Sequence, residues 1–229
     1  MYDTANPLLQ IKNVSKIVNS GENDITILRN INLDIKQGES IAIIGASGSG
    51  KTTILSLLAG LDLPTSGEIF FERQALHLAD DETRTRFRAE SVGFVFQSFQ
   101  LLPQLTALEN VMLPMEIQYM PASQATAEAS SWLHKVGLSH RLNHYPGKLS
   151  GGEQQRVAIA RAFVNQRKII FADEMTGNLD QKTGKQVIDL IFALNQEQGT
   201  TLVLVTHDPE LAERCARRLL LAEGELHPC

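Results

Sequence analysis

Gly45-Ala46-Ser47-Gly48-Ser49-Gly50-Lys51-Thr52, GASGSGKT, decides how the rest of this chain is read. It matches the phosphate-binding pattern G-x-x-x-x-G-K-[ST] at every specified position. An apolar run, Ser40 to Ile44, enters it, and a helical pattern from Thr52 to Leu61 leaves it. Glycines let backbone N–H groups turn inward around an anion. The helix start adds unpaired N–H groups and a partial positive charge. Lys51 is placed to reach the terminal phosphates, and the Thr52 hydroxyl to take a place on Mg²⁺, with Thr53 following in the same turn. A ligand-free strand-to-helix turn is the bland alternative, but it does not need these four residue types at these offsets.

Three apolar runs predict buried parallel strands: 41–44, 169–172 and 202–205. Each leads into polar chemistry: the first into Gly45, the second into Asp173 and Glu174, the third into Thr206 and His207. Ligands of open α/β sheets sit beyond the carboxyl ends of strands. Asp173 is therefore a candidate Mg²⁺ ligand, and Glu174 a candidate for polarising an attacking water.

The segment 9–14, the segment 25–35 and the segment 67–72 predict strands of a small antiparallel layer. Helical spacing links Ala125, Ala129, Trp132, Leu133 and Val136 up to Gly137, and Val187, Leu190, Ile191 and Leu194 up to Gly199. The stretch from about 98 to 147 is mostly helical and reads as an insertion. Arg84, Arg86 and Arg88 alternate among acids, as on a solvated helix face.

Ser150 and Glu153, in LSGGEQQRVAIARA, form the S-x-x-E pattern of a helix capping box. Gly151 and Gly152 cost helix stability, and a plain cap does not need them. They leave the helix N-terminus open to close approach by a phosphate.

A length of 229 residues suits one domain, or one domain with a substantial insertion, and 43% apolar content is ordinary for a soluble globular protein. A net charge of −5 argues against a surface that wraps nucleic acid. The two cysteines, Cys215 and Cys229, form no ligand or disulfide framework, which predicts a reducing cytoplasm. No apolar run approaches the roughly 20 residues needed to cross a bilayer. The first ten residues do not read as a secretory signal. Membrane contact is expected only through a partner.

On these residues the chain resembles the nucleotide-binding subunit of an ATP-binding-cassette (ABC) transporter. LSGGE is similar to the family signature LSGGQ, with Glu153 in the final place. Gln97 in FVFQSF, Asp180 in GNLD and His207 in VLVTHD match the glutamine loop, the aspartate loop and the switch histidine. FQSFQLLPQLTALENV and ADEMTGNLD resemble the lipoprotein-release and macrolide-export branch, the LolD/MacB/YbbA-like group, and its YbbA-like members most.

The resemblance implies an α/β P-loop NTPase core with a mostly parallel sheet, an N-terminal antiparallel β layer and an inserted α-helical subdomain. The division expected within this single domain is 1–97 and 156–229 for the core, and 98–155 for the helical subdomain. It also implies an ATP hydrolase with ATP and Mg²⁺, in which Thr52, Gln97 and Asp173 serve the metal. Glu174, Gln97 and His207 would serve catalysis. Ser150, Gly151, Gly152, Glu153 and Asp180 would serve a nucleotide held by a second copy of the chain in a head-to-tail dimer. An integral permease would be driven from the cytoplasmic side of the bacterial inner membrane, with no nucleic acid involved. A non-transport ABC ATPase acting on DNA or ribosomes, and a module that holds ATP without turnover, are the competing classes. The coiled coils, paired cassettes and zinc insertions of the first are missing from this sequence. Intact Glu174, Gln97 and His207 argue against the second.

The sequence departs from the family pattern in two places. Val18 stands where an aromatic usually stacks on adenine, which predicts weak base discrimination. Tyr2, the only aromatic nearby, is not placed there by this reading. Met175 replaces the proline that usually follows Asp-Glu, which predicts a looser turn. His134, His140 and His144 read as solvated or capping rather than metal-binding. Met112, Met115 and Met120, with Leu101, Leu102, Leu105 and Leu108, are either subdomain core or a groove for a permease helix.

Overall fold

Alternating charged and apolar residues at the start of the chain produce paired strands, and the later uninterrupted apolar runs produce strands buried on both faces. The computed structural model describes residues 7–19, 21 and 23–229; Tyr2 lies outside them. They divide into two compact units, one built from the chain up to Arg88 with Thr201–Cys229, the other from Ala89–Thr200.

The first unit holds two sheets. Strands β1 (Leu9–Asn19) and β2 (Asp24–Ile35) pair antiparallel, and β4 (Ser66–Phe71) joins the other edge of β1, followed by the short β5 (Gln74–Ala75). Register shifts between Ile11 and Val14 and again up to Ile17 bulge β1, and Asn13 and Asn30 sit at φ 50° and 47°. The bulges break the alternation, so β1 extends five residues past the expected Val14.

The second sheet is built on β3 (Ser40–Ile44) and β8 (Thr201–Thr206), which run parallel. Every residue of β8 is buried, which explains its uninterrupted apolar character. Strand β9 (Arg217–Ala222) adds in parallel to β3, and β10 (Glu225–Pro228) closes the edge antiparallel to β9. Helices α1 (Lys51–Leu58) and α7 (Pro209–Glu213) follow the carboxyl ends of β3 and β8.

Helix α2 (Asp81–Ser91) is not the solvated face expected from its arginines. Arg84 folds onto Asp81 with its side chain 12% exposed, and Arg88 Nη1 donates to the Gly60 carbonyl at 2.6 Å. Only Arg86, 62% exposed beside Glu82, behaves as expected. Phe87, its ring tilted against Phe71 with centroids 4.7 Å apart, draws this helix face inward and carries the neighbouring arginines with it.

In the second unit, β6 (Val92–Phe96) and β7 (Ile169–Asp173) pair in parallel. Helices α3 (Ala107–Glu116), α4 (Ala122–Lys135), α5 (Gly151–Phe163) and α6 (Gln181–Gln198) complete it. Helix α3 opens with a Thr106–Glu109 capping box and α6 with Asp180, whose side chain accepts from Thr183 N at 3.1 Å. Gly137 and Gly199, at φ 77° and 63°, end α4 and α6 as expected. Met112 and Met115 are buried, so the core reading holds for them, while Leu102 is 41% exposed. Buried Asn110 fastens the loop before α3, accepting from Leu102 N at 2.8 Å and donating to the Leu105 carbonyl at 3.0 Å. Phe163 and Phe171 are fully buried, each stabilising by about 1.5–3 kcal/mol.

Candidate functional site

The phosphate loop joins β3 to α1 within the first unit. Gly50, at φ 99°, is the left-handed N-cap of α1, a conformation that costs other residues about 1–2 kcal/mol. The cap supplies no side-chain acceptor and the first turn carries no acid, so the N-terminal N–H groups keep their capacity for an anion. A Cβ on Gly45 would lie 2.5 Å from the Leu221 carbonyl oxygen and 2.7 Å from Ser49 Oγ. The loop is thus drawn tight against β9, and only glycine fits. Ser49 Oγ is buried with no hydrogen-bond partner among the described residues. Lys51 is 7% exposed and folds back, its Nζ donating to the Gly45 and Ala46 carbonyls at 2.9 Å each. An uncapped helix end, a tight glycine turn and an enclosed lysine suit a polyphosphate.

Ile44 is in register with Thr206 across β3 and β8. The next residues, Gly45 and His207, therefore leave the same ends of neighbouring parallel strands. Thr206 Oγ1 accepts from Asp208 N at 2.9 Å, and Asp208 caps α7, which shapes the backbone around exposed His207.

Val18 is paired with Ile25 across β1 and β2, and the two are 42% and 52% exposed. Paired residues share a sheet face, so they form one aliphatic surface. A Cβ on Gly50 would lie 3.1 Å from Ile27 Cγ2, so β2 passes against the phosphate loop two residues beyond Ile25. Ile25 escaped the sequence reading because only strand register reveals it.

The second unit repeats the arrangement. Phe96 is in register with Asp173, so Gln97 and Glu174 leave the same ends of β6 and β7. Gln97 Nε2 donates to Asn178 Oδ1 at 3.3 Å, and Asn178 Nδ2 donates to the Gln97 carbonyl at 3.0 Å. A Cβ on Gly177 would meet Gln97 Nε2 at 2.7 Å, so the two loops touch.

Ser150 caps α5 with both capping-box bonds formed, at 2.8 Å and 3.3 Å. Its own backbone N–H, donated to the Glu153 carboxylate, holds that carboxyl below its ordinary range, and Arg141 Nε at 2.9 Å adds to this. The Asp180 carboxyl is lowered by its hydrogen bonds to Thr183. Ser150 is exposed, and a Cβ on Gly152 would strike Thr183 Cγ2 at 2.4 Å, so the signature glycine also serves helix packing.

The ABC transporter family model matches residues 28–177, about two thirds of the chain. The chain belongs to the ABC transporter family. It is 50% identical over 222 residues to the ABC transporter ATP-binding protein YbbA of Escherichia coli K12, covering 97% of each chain. It is 46% identical to the lipoprotein-releasing system ATP-binding protein LolD of Idiomarina loihiensis, covering 96% of each. Among solved structures it is similar to the ATP-binding cassette MJ0796, described as a dimer in a post-hydrolysis state bound to ADP and Pi. The TM-score is 0.88 at 44% identity, covering 95% of this chain and 96% of that one. The expected α/β cassette fold and the ABC-type ATP hydrolase both stand on these relatives.

Within this ABC cassette several supporting residues left no motif in the sequence. Arg161 on α5 donates from Nη2 to Phe99 O at 3.0 Å and from Nη1 to Gln100 O at 2.7 Å. It thereby holds two consecutive residues at φ 60° and 48° just past Gln97. The turn at Met175 is tied down where a looser one was expected. Met175 is 1% exposed, and its carbonyl accepts from buried Gln155 Nε2 at 2.8 Å. The histidines have local partners: Ser139 Oγ lies 3.2 Å from His134 Nδ1, and Arg141 Nη1 lies 3.1 Å from His144 Nε2. No group of three or more metal-binding side chains occurs among the described residues.

Proposed function

We propose that this chain is the ATP-binding and hydrolysing subunit of a bacterial ABC complex that drives a permease with a periplasmic domain, for export, lipid or lipoprotein extraction, or force transmission. The observation that carries this reading is the pair of parallel registers. Ile44 with Thr206 sends out the phosphate loop and His207, and Phe96 with Asp173 sends out Gln97 and Glu174. Each strand end thus delivers a group that phosphoryl transfer needs.

In this reading residues 45–53 bind the phosphates of ATP through backbone N–H groups and Lys51, which exchanges its carbonyl partners for phosphate oxygens. Thr52, Gln97 and Asp173 would hold Mg²⁺, which supplies charge neutralisation on the phosphates. Glu174 accepts the proton of the attacking water while the bond from the γ-phosphorus to the ADP oxygen breaks. His207 donates to the γ-phosphate. Ser150, Gly151, Gly152 and the α5 N-terminus serve the nucleotide of a second copy, and Asp180 lies at that boundary. The dimer is head-to-tail around two ATP molecules.

Residues 98–155 act as the helical subdomain that presents this helix end and receives the permease. No helix among the described residues is long and apolar enough to cross a membrane. Attachment at the cytoplasmic face of the inner membrane is therefore assigned to the permease. YbbA, named as an ABC transporter ATP-binding protein, and LolD, named as the ATP-binding protein of a lipoprotein-releasing system, support that placement.

Replacing Glu174 by glutamine tests the reading. Loss of a general base costs about 10²–10⁴ in rate. The variant should bind ATP, persist as an ATP-dependent dimer on size exclusion, and lose turnover by at least about 100-fold. Turnover at the parent rate would remove Glu174 from the base role.

A further inference from the structure

Glu174 has a backbone φ of 45°, in the left-handed region that is strained for a residue with a Cβ. Such a conformation persists only where the surroundings hold it. Part of that hold is local, since Gly177 N donates to the Glu174 carbonyl at 2.9 Å. The other part comes from far along the chain. The carbonyl of Met175, the next residue, accepts from Gln155 Nε2 at 2.8 Å, with both residues buried.

Gln155 is completely buried in α5, five residues past Ser150. Its Oε1 has no hydrogen-bond partner among the described residues. A buried amide oxygen left so is destabilising, so an apolar side chain of similar length would pack there at less cost. Packing alone therefore does not explain an amide at this position; its donation to Met175 does. With proline's constraint missing at Met175, that donor ties the turn to α5.

We infer that Gln155 is a positioning residue. It fixes the backbone from which the Glu174 carboxylate projects, and joins that carboxylate to the helix whose N-terminus Ser150 caps. The inference rests on Glu174 being the base and on Ser150 serving the partner copy's nucleotide. Under those assignments Gln155 carries strain in α5, imposed when the partner's ATP is engaged, to the hydrolytic group of its own subunit. The span is short: five helical residues cover about 7.5 Å.

The test uses the full chain with two substitutions and one control. Gln155→Met keeps the length and removes the donor. Its kcat should fall about 10–100-fold, as misplacement by an ångström costs, with KM for ATP within about twofold and the melting temperature close to the parent's. Gln155→Glu donates only while protonated, and burial raises a carboxyl pKa. Its activity, as a ratio to the parent at each pH, should rise from about pH 8 to about pH 6. Glu174→Gln is run alongside. If it turns over at the parent rate, the base assignment itself fails. If it is inactive while Gln155→Met keeps the parent kcat, the positioning role alone is overturned. A Gln155→Glu ratio that stays flat with pH, together with equal losses in both Gln155 variants, would mark a packing defect and also overturn it.

Discussion

Replacing Arg161 by methionine isolates the contact that shapes the turn after Gln97. Phe99 and Gln100 sit at φ 60° and 48°, and two such residues cost about 2–4 kcal/mol relative to relaxed backbone. The guanidinium donates to their carbonyls at 3.0 and 2.7 Å. Hydrogen bonds from a charged group contribute about 1.5–3 kcal/mol each, so two give about 3–6 kcal/mol. The two sums are close, and the turn is held mainly by this arginine. Burial pushes the Arg161 pKa down, yet a guanidinium stays charged in a protein.

Methionine keeps part of the apolar stem and removes both donors. A loss of about 3 kcal/mol lowers the equilibrium constant for forming the native turn by roughly 100-fold. Hydrogen exchange monitored by NMR should show the Phe99 and Gln100 amides, now bonded to Phe96 O and Ser98 O, exchanging faster by about that factor. Turnover should fall with them. Arg161→Lys should recover part of the protection, because an ammonium lacks the planar fork that reaches two carbonyls. Unchanged protection at Phe99 and Gln100 beside reduced turnover would refute the reasoning.

Two further outcomes follow from the geometry. Glu153 titrates below its usual 4.5, so the stability it lends is complete above that value and is lost as pH falls through its lowered folded-state value. Glu153→Gln keeps an acceptor for Ser150 N but not the charge facing Arg141. The gap between parent and variant urea midpoints should therefore close as pH is lowered from about 6 to about 3, and a pH-independent gap would count against this. The aliphatic Val18–Ile25 pair should bind ATP and GTP with affinities within a few-fold. Val18→Trp should favour ATP by about 0.5–1.5 kcal/mol in competition binding. A parent already selective by tens of fold would show that another residue supplies the stacking.

How far the sequence could be read depended on where each residue's partner lies. Strands β3, β7 and β8 were legible because burial on both faces leaves continuous apolar runs in them, with polar residues only at their ends. The β9 and β10 hairpin was missed: Arg217 and Arg218 open β9, and Arg217 spends its charge on Glu39 at 2.9 Å, a partner 178 positions away. The same holds at Arg84 and Arg88, where the charge pattern suggested solvent and Phe87 pulled the face inward.

At the candidate site, the residues proposed to carry chemistry stand in fixed local patterns that a sequence displays. Residues that hold them in place do not. Gln155, Arg161 and Asn178 act on backbone or side chains 20, 61 and 81 positions away. Nothing local marks such a partner, and Asn178 entered only as a branch-distinguishing residue.

Lys51 spans its own loop, bonded to the carbonyls of Gly45 and Ala46. The measured affinity for a nucleotide is then a difference between two states of the lysine, not the strength of one contact. Those internal bonds brace the loop from within. They also set a threshold: a molecule that offers the ammonium less than two carbonyl oxygens do leaves it where it is.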